Sequence, residues 1–284
     1  MQAARLADGR VHLQDGPIDL LLRAEGPGRE AAERAALSSF DGLLATLVEE
    51  LPALRRPVGG TLPKVSGPVA RRMVAAVAPF AGRFVTPMAA VAGAVSDHLL
   101  AAMRDAAPDL TRAWVNDGGD IAFHLAPGQS FDVGLVAELE APALAGTATV
   151  RHGDPVGGVA TSGRGGRSFS LGIADAVTVM APDAASADVA ATLIANAVDL
   201  PEHPAIRRGP ACEEDPDSDL GTLPVVLDIG DLADSDVDAA LEAGCRESES
   251  IEKIIPGICV ILFLANRFRI VGATTPAKRV RWAV

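Results

Sequence analysis

Apolar and polar residues alternate through residues 10–23 on either side of Asp15-Gly16-Pro17, a pattern that predicts a β-hairpin turning at its centre. The period then lengthens. Over residues 30–51, Leu37, Leu44, Leu47 and Val48 recur at helical intervals, and Pro52 reads as the stop. Pro68–Val77 is a second helical stretch with Pro68 suited to its first turn. Residues 88–106 form a third, rich in small side chains that allow close packing. Residues 113–125 read as a strand that bends at Gly118-Gly119 and continues, and 131–139 and 147–152 as further strands. Residues 174–198, ADAVTVMAPDAASADVAATLIANAV, read as an apolar strand, a proline turn and a helix with Val189, Leu193 and Ala197 in one stripe. Residues 207–222 are rich in proline and acid, without apolar periodicity, and predict an exposed acidic loop. Residues 236–247 are amphipathic with Ser235 placed as N-cap, and 258–265 and 268–271 predict a hairpin across Asn266-Arg267. Strands and helices mix without strict βαβ alternation, so the pattern predicts an α+β protein in one compact unit over 1–284.

Composition narrows the partners. Hydrophobic residues make up 49% of 284, enough for a sizeable core, and the formal charge of −12 argues against nucleic acid or anionic membrane as partners. Cys212, Cys245 and Cys259 are far apart and form neither a CxxC nor a zinc pattern. The longest apolar run, 258–265, is too short to span a bilayer. The opening residues are charged and lack an apolar signal segment. These features predict a soluble, cytoplasmic protein and leave its oligomeric state open.

Three segments can carry chemistry. In Val115-Asn116-Asp117-Gly118-Gly119-Asp120-Ile121, two glycines let the backbone turn or approach a ligand closely. Asp120 there is either a site acid or a cap for nearby amides. In residues 157–167, glycines, Thr161, Ser162, Gly163, Arg164 and Arg167 make up a composition able to cradle phosphate oxygens, or a surface loop. Neither a P-loop nor a Rossmann fingerprint is present. The third is the helix with Asp188 and Thr192 four residues apart, which stacks a carboxylate and a hydroxyl on one face. Two hard oxygens suit Mg²⁺. The plainer alternative makes Asp188 an acid answering the helix dipole. Among the histidines, His152 stands beside the glycine-rich segment, whereas His98 reads as packed or half-exposed on its helix and His124 could face either side of its strand. Trp114 reads as core.

The order of these segments resembles the ApbE-like superfamily, whose best-known members are the FAD:protein FMN transferases. The resemblance rests on Asn116 with Gly118–Ile121, Ala160–Gly163, Val177–Val179, and Ala187, Asp188 and Thr192, and it covers about residues 86–198. The flanks look closer to an uncharacterised cytosolic branch. The resemblance implies a single T-fold-related domain with a central cleft. It also implies FAD or a related nucleotide as ligand, Mg²⁺ as metal and a possible protein acceptor for FMN. Asp188 and Thr192 would be the metal ligands. Gly118 and Gly119 would let the backbone pass under the nucleotide, with Asn116 and Asp120 beside them. Thr161, Ser162 and Gly163 would meet ligand oxygens, and Arg164 and Arg167 an anion.

The chain also departs from the transferases. Their Asp-Leu-Gly-Gly-Ile-Ala-Lys-Gly segment aligns with residues 86–93, where acid and lysine are gone while Gly93 and, beyond it, Asp97 remain. Their His-Ile-x-Asp-Pro-x-Thr-Gly segment is replaced by the short stretch 167–173, and no tyrosine is available to stack on a flavin. Two functions are therefore expected of such a chain. One is a Mg²⁺-dependent flavin or nucleotide transferase of altered substrate, and the other a noncatalytic flavin- or nucleotide-binding protein.

Overall fold

The structure is a computed structural model that describes residues 1–139, 143–166, 168–272 and 277–283. Strands β1 (Gln2–Arg5), β2 (Val11–Asp15) and β3 (Ile18–Glu25) come first. Helices α1 (Arg29–Phe40), α2 (Leu43–Leu54), α3 (Pro68–Val77) and α4 (Val91–Ala106) follow. Next are β4 (Arg112–Asp117), β5 (Asp120–Leu125), β6 (Ser130–Val136), β7 (Leu144–Arg151), β8 (Gly158–Ser162), β9 (Ala176–Ala181) and α5 (Ala184–Ala197). The remainder holds β10 (Ile206–Pro210), α6 (Ala211–Glu214), β11 (Pro224–Ile229), α7 (Asp234–Glu252), β12 (Cys259–Leu264), β13 (Arg267–Val271) and β14 (Val280–Trp282). This is the α+β class that the pattern predicts. No helix among the described residues is long and apolar enough to cross a membrane.

The chain gathers into two units, the first made of 1–131, 150–160 and 180–189, the second of 132–149, 161–179 and 190–284. Strands β8 and β9 and helix α5 each pass from one unit into the other along the chain. In the first unit, β1 to β5 lie side by side in sequence order, and every neighbouring pair is antiparallel. The start of β8 continues the sheet beside β5 through Val159 opposite Ile121. Period-2 burial is clean in β3, where Ile18, Leu20, Leu22 and Ala24 are buried and the residues between them are not. Helices α1 and α4 pack on each other and on these strands. Ala32, Ala36 and Phe40 of α1 and Ala94, Val95, Leu99 and Met103 of α4 are buried. Burying each large side chain contributes about 1.5–3 kcal/mol. Trp114 lies half-buried in β4.

In the second unit, β9, β12 and β13 are neighbours in that order, and all six residues of β12 are buried. Helix α7 packs on β12 and β13. It approaches closely at Gly244, where a Cβ would stand 2.4 Å from the Val198 side chain and 2.5 Å from that of Leu262. Asp238 of α7 pairs with Arg267 and Arg269 of β13. A small sheet orders β14-β7-β6, and β10 pairs antiparallel with β11. Trp282 of β14 lies 4.2 Å from the Phe268 ring, centroid to centroid.

Several sequence expectations need correction. Residues 30–51 form two helices, because Asp41-Gly42 interrupts them with Gly42 left-handed at φ 73°. The break resets the helical phase, so Val48 is exposed. Pro52 lies inside α2, which continues to Leu54. The 113–125 strand is a hairpin rather than a bent strand, with Asp117 opposite Asp120. Residues 207–222 are not all loop: Arg207–Pro210 belong to β10 and 211–214 to α6. The N-cap of α7 is Ala233, whose amide donates to the Asp236 carboxylate, so Ser235 lies inside the first turn. The last hairpin turns at Ala265-Asn266, both at positive φ.

Candidate functional site

The first unit brings together Asn116, Gly118, Gly119, Asp120 and Asp188. The β4–β5 turn has Gly118 at φ 64° and Gly119 at φ 115°, the double positive φ that a tight two-residue hairpin requires. The Asn116 side-chain oxygen accepts from the Gly119 amide at 2.8 Å and locks that turn. Asp120 follows at once, and its carbonyl accepts from Ser96 Oγ of α4 at 2.9 Å. Asp117, before the turn, is buried.

Helix α4 also grips the start of α5. The Gly93 amide donates to Asp188 Oδ2 at 3.1 Å. One turn later, Asp97 accepts from the Ala184 amide on Oδ1 at 3.1 Å and from the Ala185 amide on Oδ2 at 2.9 Å. A Cβ on Gly93 would lie 2.3 Å from the Ala184 carbonyl oxygen, so glycine is what lets the two backbones come this close. Asp183 accepts from the Ser186 amide with Oδ1 at 2.7 Å and caps the same turn.

These contacts leave acids facing one another. Burial, and after it the charge of Asp120, raises the Asp188 carboxyl well above its ordinary value, with Asp117 and Asp97 adding to the rise against the Gly93 hydrogen bond. Asp120 and Asp188 are therefore close enough to feel each other. Burial likewise pushes Asp97 up to about 6, against the amide hydrogen bonds of Ala185 and Ala184. A cation here would offset both desolvation and mutual repulsion. Among the described residues no three of His, Cys, Asp and Glu converge as a metal-holding group. A metal would thus take few side chains and complete its shell from elsewhere, as Mg²⁺ does with water and phosphate.

The second unit holds the other sequence-derived candidates. Thr161 Oγ1 lies 2.9 Å from Thr178 Oγ1, and Ser162 is half-buried at the end of β8. Gly163 packs tightly, since its Cβ would meet the Asp175 carbonyl oxygen at 2.5 Å. Arg164 donates through Nε to Asp175 Oδ1 at 2.9 Å, and the other Asp175 oxygen accepts from the Ala265 amide. That guanidinium is thus committed in part to the fold. Thr192 is half-buried, one turn beyond Asp188 on α5. Arg167 lies outside the described residues. His152, in the first unit, engages the Leu125 carbonyl through Nδ1 at 2.8 Å, a packing role. Sequence reading assigned no role to Ser96, Asp97 and Asp183. Asp97 stood out only as an acid that remains, with Gly93, where the rest of the transferase segment is lost, and that does not say which backbone its carboxylate meets.

This fold is that of the ApbE proteins. The flavin transferase ApbE of Vibrio cholerae aligns with 98% of this chain and 99% of its own, at a TM-score of 0.51 and 12% identity. The ApbE protein of Thermotoga maritima aligns with 95% of this chain and 97% of its own, at 0.50 and 12%. The apo flavinyl transferase ApbE of Pseudomonas stutzeri aligns with 98% and 96%, at 0.50 and 13%. In sequence, the profile described as AbpE bacteria matches residues 3–270, and the chain belongs to that family, within the ApbE-like superfamily. A UPF0280 protein of Methanothermobacter thermautotrophicus is 41% identical over 90 residues, which are 31% of this chain and 34% of that protein. The match spans about a third of that relative's length.

Proposed function

We propose that this protein is a Mg²⁺-dependent flavin- or nucleotide-binding enzyme of the transferase type, acting on a substrate other than that of the known transferases. The observation that carries the reading is Asp188. It is a half-buried carboxylate fixed by the Gly93 amide and set in the field of Asp120, Asp117 and Asp97. Its chemistry fits a divalent cation, with the Thr192 hydroxyl one turn away as a second hard oxygen. Bound there, Mg²⁺ would neutralise a pyrophosphate and the charge developing on a departing phosphate. The glycine pair at 118–119, held by Asn116, offers bare backbone to a nucleotide. Asp120 stands beside it, and Thr161, Ser162 and Gly163 are further candidates for contact with ligand oxygens. A protein acceptor for the transferred group and a cytoplasmic location belong to the same reading.

A second reading has one specific support. Arg164 is paired with Asp175 and Thr161 with Thr178, and the lysine of the transferases is replaced by Ala92. A binding protein without transfer chemistry would keep the Asp188 region and spend those side chains on structure.

Calorimetric titration of FAD and ATP, with and without Mg²⁺, tests the main reading. Wild type should bind in a metal-dependent way, Asp188→Asn should lose that binding, and Thr192→Val should weaken it less. Binding that ignores both Mg²⁺ and the Asp188→Asn change would return Asp188 to the role of a helix-dipole acid.

A further inference from the structure

The amides at the start of a helix have no partner within it. In α5 those of the first three residues are taken by side chains. Ala184 and Ala185 donate to the two Asp97 oxygens and Ser186 to the Asp183 side chain at 2.7 Å, and the regular ladder begins with Ala187 donating to the Asp183 carbonyl at 3.1 Å. Asp183 alone is an ordinary local cap. Asp97 is not local: it comes from α4, 87 residues earlier in the chain, and is itself buried. Its carboxylate occupies the place where a phosphate would sit on an open helix N-terminus. The amides of Ala184, Ala185 and Ser186 are thus already committed and do not face a phosphate ligand.

The contacts on either side give that plug a second consequence. Gly93, one turn before Asp97 in α4, donates to Asp188, one turn after Ala184 in α5. Ser96, beside Asp97, holds the carbonyl of Asp120. Three residues within one turn and a half of α4 thus set the positions of both acids that face each other. The two oxygens of Asp97 fix the rotation of α5 about its axis, because two adjacent amides must point at one carboxylate.

We infer that Asp97 is a positioning residue, which closes the N-terminus of α5 to phosphate and orients that helix so that Asp188 presents its carboxylate to a divalent cation. This rests on the metal reading above. It goes beyond that reading in naming the group that builds the site and in placing the phosphate of any ligand at the cation rather than at the helix end.

The test uses Mn²⁺ alone as probe, read by electron paramagnetic resonance on wild type, Asp97→Ala, Asp97→Asn and Glu33→Gln. Glu33 is a buried acid of α1 held by Arg5 and Arg29, so its loss lowers stability without touching α5. Removing a residue that orients a ligand costs about 10- to 100-fold in metal affinity, and that loss is expected for Asp97→Ala. Asp97→Asn keeps one acceptor oxygen and should recover part of it. Glu33→Gln should bind Mn²⁺ as wild type does. Amide exchange at Ala184 and Ala185 in the Asn variant should quicken by about tenfold or more, the mark of a weakened cap. If Asp97→Ala fails to fold, the Asn variant carries both readouts. Wild-type Mn²⁺ affinity in a folded Asp97 variant overturns the positioning role alone, as does a loss in Glu33→Gln equal to that in Asp97→Ala. A wild type that takes up no Mn²⁺ overturns the metal reading and this role with it.

Discussion

Asp97 combines two demands on one side chain: it must accept two amides, and it must do so away from water. Amide donation favours the charged carboxylate, and burial disfavours it. Burial wins, and the group titrates near pH 6. The consequence for stability has a definite sign. Between the ordinary value of 3.8 and about 6 the folded protein holds a proton that the unfolded chain has released. Stability is therefore greatest at the acid end of that window for this group, falls as pH rises through it, and is level above about 6. The fall from this one group is at most about 3 kcal/mol. Asp188, also raised, acts in the same direction. Urea unfolding of wild type and Asp97→Asn across this range should give a shallower pH slope for the variant. Equal slopes would mean that Asp97 titrates normally.

At the scale of elements, the pairing of α4 with the start of α5 depends on a missing side chain. With a Cβ on Gly93 only 2.3 Å from the Ala184 carbonyl oxygen, neither backbone can yield without moving a helix. Gly93→Ala should cost about 1–3 kcal/mol, the usual cost of overpacking, and denaturant unfolding would measure it. An unchanged midpoint would mean that the two helices lie further apart. Elements whose cause is local were legible in the chain. Pro68 opens α3 where expected, and Asp15-Gly16-Pro17 turns the β2–β3 hairpin. The α5 helix and its Asp188–Thr192 spacing also follow from pattern. Elements whose cause is tertiary were not. The break between α1 and α2 has a local cause as well, the Asp41-Gly42 pair with Gly42 at positive φ, but the apolar spacing of Leu37 to Val48 runs through it and masks it. Strand β1 is exposed at all four positions, so no alternation announces it. The group at Asp188 was half legible: the Asn-x-Gly-Gly-Asp and Ala-Asp-x-x-x-Thr segments stand out. That α4 clamps them depends on hydrogen bonds across 87, 88 and 95 residues.

For the molecule as a whole, burial is uneven, and opening should follow it. Every residue of β12 is buried, whereas β1 pairs with β2 alone and lies at the rim of its sheet. Native-state hydrogen exchange should find amides of β12 among the slowest and those of β1 among the fastest. Slow exchange in β1 would point to cover from a second molecule. The net charge of −12 sets the long-range field against polyanions, so any phosphate ligand must be held by local neutralisation, which is what a cation at Asp188 would provide.

The aromatic residues give the chain a built-in pair of optical reporters. It has two tryptophans and no tyrosine, with Trp114 in the first unit and Trp282, against Phe268, in the second. Excited near 295 nm, its emission therefore comes from one fluorophore per unit. Replacing either with Phe leaves a single lamp. Each single-tryptophan variant then watches one half of the chain lose its structure, so that cooperativity between the halves becomes a comparison of two fluorescence curves.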